Sequence, residues 1–341
     1  LVLNIMEINY PFTQLPETGV PFEVAAGVLW LRMPLPFALD HINLWLVRDG
    51  EGWAAVDTGI FRETIKGAWG KILETHRLTR QIVTHFHPDH FGLAAWLEEK
   101  TGAQLWMTQG EYTVAQLVLH QIAGYSTQAM LDFFASHGLA GEPYAELERR
   151  GNAYGRAAPV LPGSYTRIIH GDEIRVGGHG WRVIVGYGHA PEHASLYCAD
   201  KKILISGDML LPRISTNISA YAVKPFGDPL GRFLASIEDF RELPEDTLVL
   251  PSHGLPFRGA QARIDQLRAH HQARCEELLT ACEGSAKCAA DLIPVMFPRP
   301  LLDAHQMMFA IGEAVAHLLY LEHRGRMSRT ESDGLVRFRT L

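Results

Sequence analysis

The chain has 341 residues, 47% of them hydrophobic and 20% charged, with a net charge of −7. That balance excludes a disordered chain and argues against a polyanionic partner held by charge alone. No apolar run approaches the ~18 residues of a membrane span, so no membrane partner is expected. Leu1 to Met6 lack the basic start and cleavage site of a secretory leader, and Met6 could be the natural start. A cytoplasmic location follows as an expectation.

In chain order, residues 21 to 60 read as strands and turns: Val28 to Met33, Ile42 to Val47, an Asp49-Gly50 turn, then Gly52 to Val56. Asp57 closes the last of these, where it is expected to hydrogen-bond the backbone or a ligand of the loop that follows. Residues 62 to 76 suit a helix and 80 to 84 a strand. That strand runs into Thr84-His85-Phe86-His87-Pro88-Asp89-His90, with three imidazoles and one carboxylate in six consecutive residues. Helical spacing resumes over Phe91 to Lys100. In extended chain, residues two apart point the same way, so His85 and His87 can grip one ion. Pro88 delays the helix, and the next turn aims Asp89 and His90 at a second position. The run is built for two metals, which demands further ligands downstream.

Leu105 to Met107 form another strand. A helical insertion follows at about 108–160, rich in large apolar residues from Glu111 to Arg150. It suits a lid, a subunit contact such as a homodimer would use, or a small core of its own. Strands resume at Thr166 to Ile169, Ile174 to Val176 and Gly180 to Val185, and the last leads into Gly188-His189 and then His193. After Leu196 to Cys198, the strand Ile203 to Ser206 ends in Gly207-Asp208. A carboxylate at a buried strand end is costly unless a cation meets it. Thr247 to Leu250 leads into Ser252-His253-Gly254.

From residue 261 the pattern is helical, with Ile264, Leu267, His271, Cys275, Leu278 and Cys282 in register, then a helix from His305 to His323. A hairpin over Arg326 to Arg339 completes a winged-helix-like tail. Its last helix is mostly apolar, which favours packing over nucleic-acid contact, although Arg324, Arg326, Arg329, Arg337 and Arg339 cluster near the wing. Cys198, Cys275, Cys282 and Cys288 contain no Cys-x-x-Cys pair and are expected as reduced thiols.

The His-x-His-x-Asp-His run at 85 to 90, Gly-His at 188 to 189, Gly-Asp at 207 to 208 and Ser-His-Gly at 252 to 254, in this order, resemble the metallo-β-lactamase superfamily. The resemblance implies a four-layer αββα sandwich over residues 1–260, followed by a smaller C-terminal domain over 261–341. It implies that His85, His87 and His189 hold one metal, that Asp89, His90 and His253 hold the other, and that Asp208 bridges them. His193 is placed beside the site. Leu93 stands where related enzymes often carry a second glycine after Gly92. Two divalent ions are expected, zinc first, with iron or manganese as alternatives.

The implied chemistry is attack by a metal-bridging hydroxide on a small-molecule acyl substrate, a thioester, ester or lactone, with Asp89, Asp208 and His193 as catalytic residues. A bridging Asp208 is not typical of true β-lactamases, and no basic cluster for glutathione is evident. Arg213, Asn217 and Tyr221, on the loop after Asp208, are candidates to bind a substrate carboxylate or carbonyl. The alternatives are an endonuclease acting on RNA or DNA through the tail and a single-iron persulfide dioxygenase.

Overall fold

The computed structural model describes residues 7–299, 301 and 303–341, so the readings made of Leu1 to Met6 lie outside the described residues. Packing divides the chain into two units. The first comprises Leu1–Leu119, Tyr154–Thr216 and Ser236–Ile264, and the second His120–Ala153, Asn217–Ala235 and Asp265–Leu341. Most of the helical insertion and a stretch after Asp208 group with the C-terminal residues.

In the first unit, β1 (Phe22–Ala25), β2 (Val28–Pro34), β3 (His41–Asp49), β4 (Gly52–Val56), β5 (Leu78–Ile82), β6 (Gln104–Met107) and β7 (Thr166–Arg167) form a 7-stranded sheet in chain order. Pairing is antiparallel from β1 to β4 and parallel from β4 to β7. The parallel steps need crossovers. The helices α1 (Glu63–Leu73), α2 (Pro88–Phe91), α3 (Ala94–Thr101) and α4 (Gln109–Leu119) occupy them. A 5-stranded sheet has the order β12-β11-β10-β9-β8. Its strands are β8 (Glu173–Val176), β9 (His179–Gly186), β10 (His193–Cys198), β11 (Ile203–Gly207) and β12 (Leu248–Pro251).

Strand β3 shows why this sequence layers. Its side chains alternate, so Trp45 and Val47 join a cluster with Val183, Val185, Leu196 and Ile205 of the other sheet. Leu44 and Leu46 face the opposite way and pack with Ile65, Trp69 and Ile72 of α1 and Leu97 of α3. A strand buried on both faces reads as a continuous apolar run, as this one does. The result is the four-layer αββα sandwich that the sequence led us to expect.

The sheet directions gather the loops that matter. β11 and β12 are parallel, and β9 and β11 are each antiparallel to β10. The C-terminal ends of β9, β11 and β12 therefore share one edge of their sheet, and those of β4 and β5 share one edge of theirs. Asp57 follows β4, the run His85 to His90 follows β5, and His189, Asp208 and His253 follow β9, β11 and β12.

The strand expected over 80 to 84 is β5, Leu78–Ile82, and His85 and His87 lie on the loop that follows it. Two local expectations need correction. Pro88 opens α2 instead of delaying a helix, because the first helical position needs no N–H. The helix expected over 91 to 100 is broken at Gly92, where a Cβ would lie 2.4 Å from the Pro88 oxygen and 2.5 Å from the Ala157 oxygen. The neighbouring Leu93 is fully buried in the α1 cluster.

The short α7 (Ala153–Ala157) lies in the first unit apart from Ala153, and the second unit is built from α5 (Thr127–Ser136), α6 (Gly141–Arg150), α8 (Pro229–Ser236), α9 (Ala260–Ala281), α10 (Ala289–Met296), α11 (Ala304–His323) and the hairpin β13 (Met327–Ser332) to β14 (Leu335–Thr340), with Ser236 of α8 and the start of α9, up to Ile264, assigned to the first unit. Helix α10 went unanticipated, since it is short and carries Pro294. Every residue of α11 from Ala310 to Leu319 is buried. All four cysteines are free and buried, Cys282 and Cys288 included. Among the described residues no helix is long and apolar enough to cross a membrane.

Candidate metal centre

Seven side chains converge in two groups. His85, His87, His189 and Asp208 form one, and Asp89, His90 and His253 the other. The Nε2 of His85 lies 2.9 Å from Nδ1 of His87 and 3.1 Å from Nε2 of His189. Asp208 reaches both groups: its Oδ2 is 3.4 Å from His189 Nε2 and 3.6 Å from His90 Nε2, and its Oδ1 is 3.5 Å from His253 Nε2. Asp89 Oδ2 stands 3.6 Å from His90 Nε2 and 3.5 Å from His253 Nε2. Ligand atoms bound at ~2.0–2.1 Å to one tetrahedral ion lie ~3.3–3.4 Å apart, and the separations cluster around that value.

Hydrogen bonds decide which nitrogen each imidazole presents. His90 donates from Nδ1 to Asp57 Oδ2 at 2.7 Å, and His253 from Nδ1 to the His41 carbonyl at 2.8 Å. The Thr84 hydroxyl gives its proton to Asp57, so at 3.0 Å it accepts from His85 Nδ1. In each of the three rings Nδ1 is thus taken up by its oxygen partner and Nε2 is the nitrogen turned to the centre, the orientation that metal ligands require. Asp57 Oδ1 also accepts from the Thr84 amide at 2.8 Å. The supporting position expected of Asp57 is the one it occupies.

Charge suits a cation. Burial and then the neighbouring imidazoles hold His85 and His87 well below the usual histidine range, so both are neutral. Burial would raise Asp208, but the imidazoles of His253 and His90 outweigh it and hold the carboxyl well below its usual value. For His90 burial acts downward, and the carboxylates of Asp57, Asp89 and Asp208 overcome it, raising the group well above its ordinary value. Nε2 of His90 and Oδ1 of Asp208 are buried with no hydrogen-bond partner among the described residues. Orphaned polar atoms aimed at one point are costly unless an ion meets them, and these donors fit a pair of divalent ions.

His193 lies beside the centre. Its Nε2 accepts the Asp208 amide at 3.0 Å, and burial, then His189, push it down to about 3. It holds the backbone that carries Asp208, with its Nε2 turned to that amide, and so is a positioning residue. Gly207 permits this closeness: a Cβ there would sit 2.3 Å from His193 Nε2, and φ is +54°.

Arg213 is exposed, its guanidinium 5.5 Å from the centre of the Tyr10 ring. Asn217 and Tyr221 belong to the second unit, where the Asn217 amide donates to Glu313 at 3.3 Å and accepts from Ser219 at 2.8 Å.

Other supports were missed in the sequence. Glu111 of α4 is fully buried and accepts amide protons from Phe86, at 2.9 Å, and from Glu192, tying the loop after β5 to the loop after β9. Tyr154 donates to the Phe86 carbonyl at 2.7 Å. Asn43 donates to the carbonyls of Pro251 and Gly254 around His253, and His41 Nε2 accepts the Gly254 amide. The one signal for Glu111 is an acid in a helix otherwise rich in apolar residues.

Comparison with known proteins adds to this geometry. The family model described as Metallo-beta-lactamase superfamily matches residues 38–253, and that described as Metallo-beta-lactamase-like, C-terminal domain matches 275–341. A crystal structure of a beta-lactamase domain protein from Burkholderia ambifaria is similar with a TM-score of 0.91 and 46% identity, covering 98% of each chain. The probable metallo-hydrolase YqjP of Bacillus subtilis (strain 168) is 24% identical over 331 residues, 92% of this chain and 98% of its own. A hydroxyacylglutathione hydrolase of Albidiferax ferrireducens is 24% identical over 251 residues, 72% of this chain and 76% of its own.

Proposed function

The chain belongs to the metallo-beta-lactamase superfamily, and from that premise we propose that it is a dinuclear metal-dependent hydrolase of acyl compounds, thioesters first, with esters and lactones beside them. The observation that carries this reading is Asp208, whose two oxygens face ligands of both groups. His85, His87 and His189 would hold one ion, and Asp89, His90 and His253 the other, with Asp208 shared. Divalent ions in these places would supply Lewis acidity toward an acyl oxygen and lower the pKa of water from 15.7 toward ~7.

The chain's own groups do the rest. Asp208, with its side chain 9% exposed, contributes fixed negative charge at the bottom of the centre, while that of Asp89 is 20% exposed. Asp89 is therefore the better placed carboxylate to take a proton from the attacking water and return it to the departing thiolate or alkoxide. Asp57, Thr84 and the His41 carbonyl keep the imidazoles in the required tautomer, and Glu111 keeps two ligand loops in register.

The thioester preference rests on the relative named hydroxyacylglutathione hydrolase and on the acidic balance of the chain. Three of the five tail arginines point the same way, because Arg324 pairs with Asp228, Arg326 with Glu276 and Arg329 with Glu322. The test is a panel of thioesters, lactones, phosphodiesters and RNA given to the zinc-loaded chain and to Asp208→Ala. We expect cleavage of the acyl members alone, reduced by at least about 10²-fold in the variant, since even supports outside the ligand set cost 10–100-fold. Cleavage confined to RNA or phosphodiesters would overturn the acyl assignment.

A further inference from the structure

We propose that the second unit holds a metal site of its own, in which His270 and His271 of α9 and Glu313 of α11 bind a divalent transition ion. Each offers a ligand atom, and these atoms lie within 4.8 Å of one another, with His271 and Glu313 buried and His270 exposed. The site is independent of the reading of the first centre.

His271 occupies a position in the apolar stripe of α9, where Ile264, Leu267, Cys275 and Leu278 are all buried, and an imidazole there needs a reason. The hydrogen bonds around it supply one. His317 Nδ1 is 2.8 Å from the Glu313 carbonyl, which can only accept, so the proton of His317 is on Nδ1. Its Nε2 is then bare and, at 3.1 Å, accepts from His271 Nδ1. In neutral His271 the remaining lone pair is on Nε2. A backbone carbonyl acting through one histidine thus orients a second, the relay that fixes ligand tautomers in metal sites.

Glu313 adds an acid to a helix whose other residues from Ala310 to Val315 are apolar or glycine, with Oε2 accepting from Asn217 at 3.3 Å. A carboxylate and an imidazole buried side by side are costly unless they are paired or coordinate a cation. Two imidazoles and one carboxylate are a donor set for zinc or its first-row neighbours. Of the three, His271 lines a cavity of about 240 Å³ together with Leu234, Arg268, Ala269, Gln272 and Tyr320, which gives water access to its side of the site. The spacing of up to 4.8 Å is wider than the ~3.3 Å edge of a tetrahedral site, and the exposed ring of His270 is the one that swings to close it.

The ion would join α9 to α11, so its role is structural. Atomic emission on the zinc-loaded full chain, desalted to remove loose metal, is the test, run on the wild type, His270→Ala and Glu313→Gln with circular dichroism on each. The expected result is a loss of about one zinc per chain in each variant, with unchanged secondary structure. His317→Leu should weaken this ion's binding about 10–100-fold, as removing an orienting partner does. Zinc content at the wild-type value in His270→Ala, or a fall in Glu313→Gln accompanied by unfolding, would overturn the proposal.

Discussion

Asp57 has a positive φ of 62°, a conformation that asparagine and aspartate tolerate best, and its carboxylate orders Thr84 and His90 together. Asp57→Asn keeps the backbone and removes the charged acceptor. Zinc affinity measured against a chromophoric chelator should fall about 10–100-fold. Glu111 gives a pH signature instead, because burial raises its carboxyl from 4.5 to about 8. The folded chain favours the protonated form, so the stability it contributes is full below 4.5 and is lost as pH rises through about 8. Glu111→Gln cannot ionise and should flatten the dependence of the urea midpoint of the metal-free protein over that window. Of these two residues only Asp57 was legible in the sequence, since it closes an apolar strand. The partners of Glu111, Phe86 and Glu192, are distant in sequence, and no local pattern records them.

At the level of elements, the ligands sit where strands end. A strand end frees the backbone to turn while the sheet holds its position, so a few residues past it can be aimed with little slack. This is why His189, Asp208 and His253 were legible: each follows an apolar run. The shape of the loop between β5 and α2 was not, because the residue count alone does not say whether Pro88 starts a helix or postpones one. Gly207 is a test at this scale. In Gly207→Ala the methyl would meet His193 at 2.3 Å, and strain plus displacement should cost about 1–3 kcal/mol, read as a lower urea midpoint. The same variant should bind zinc more weakly, because the backbone of Asp208 moves with its neighbour.

For the whole molecule, the chain builds its second unit from three separate segments. The sequence shows the change to helical periodicity near 108 and again near 261, and nothing in either stretch states that they pack together. His137 makes the point: it stacks on Phe338 at 6.4 Å and its carbonyl accepts the Ala290 amide, contacts between the insertion and the tail. Periodicity reports which face of an element is buried, but not against what. The four ligand motifs escape this limit because their order and chemistry constrain the fold that can join them.

The account depends most on two ions sharing Asp208. Anomalous diffraction at the zinc edge from crystals of the zinc-loaded chain measures this directly. We predict one peak bonded to His85, His87 and His189, and a second bonded to Asp89, His90 and His253, with Asp208 touching both. A single peak at the centre, or two peaks with Asp208 bound to neither, would contradict it.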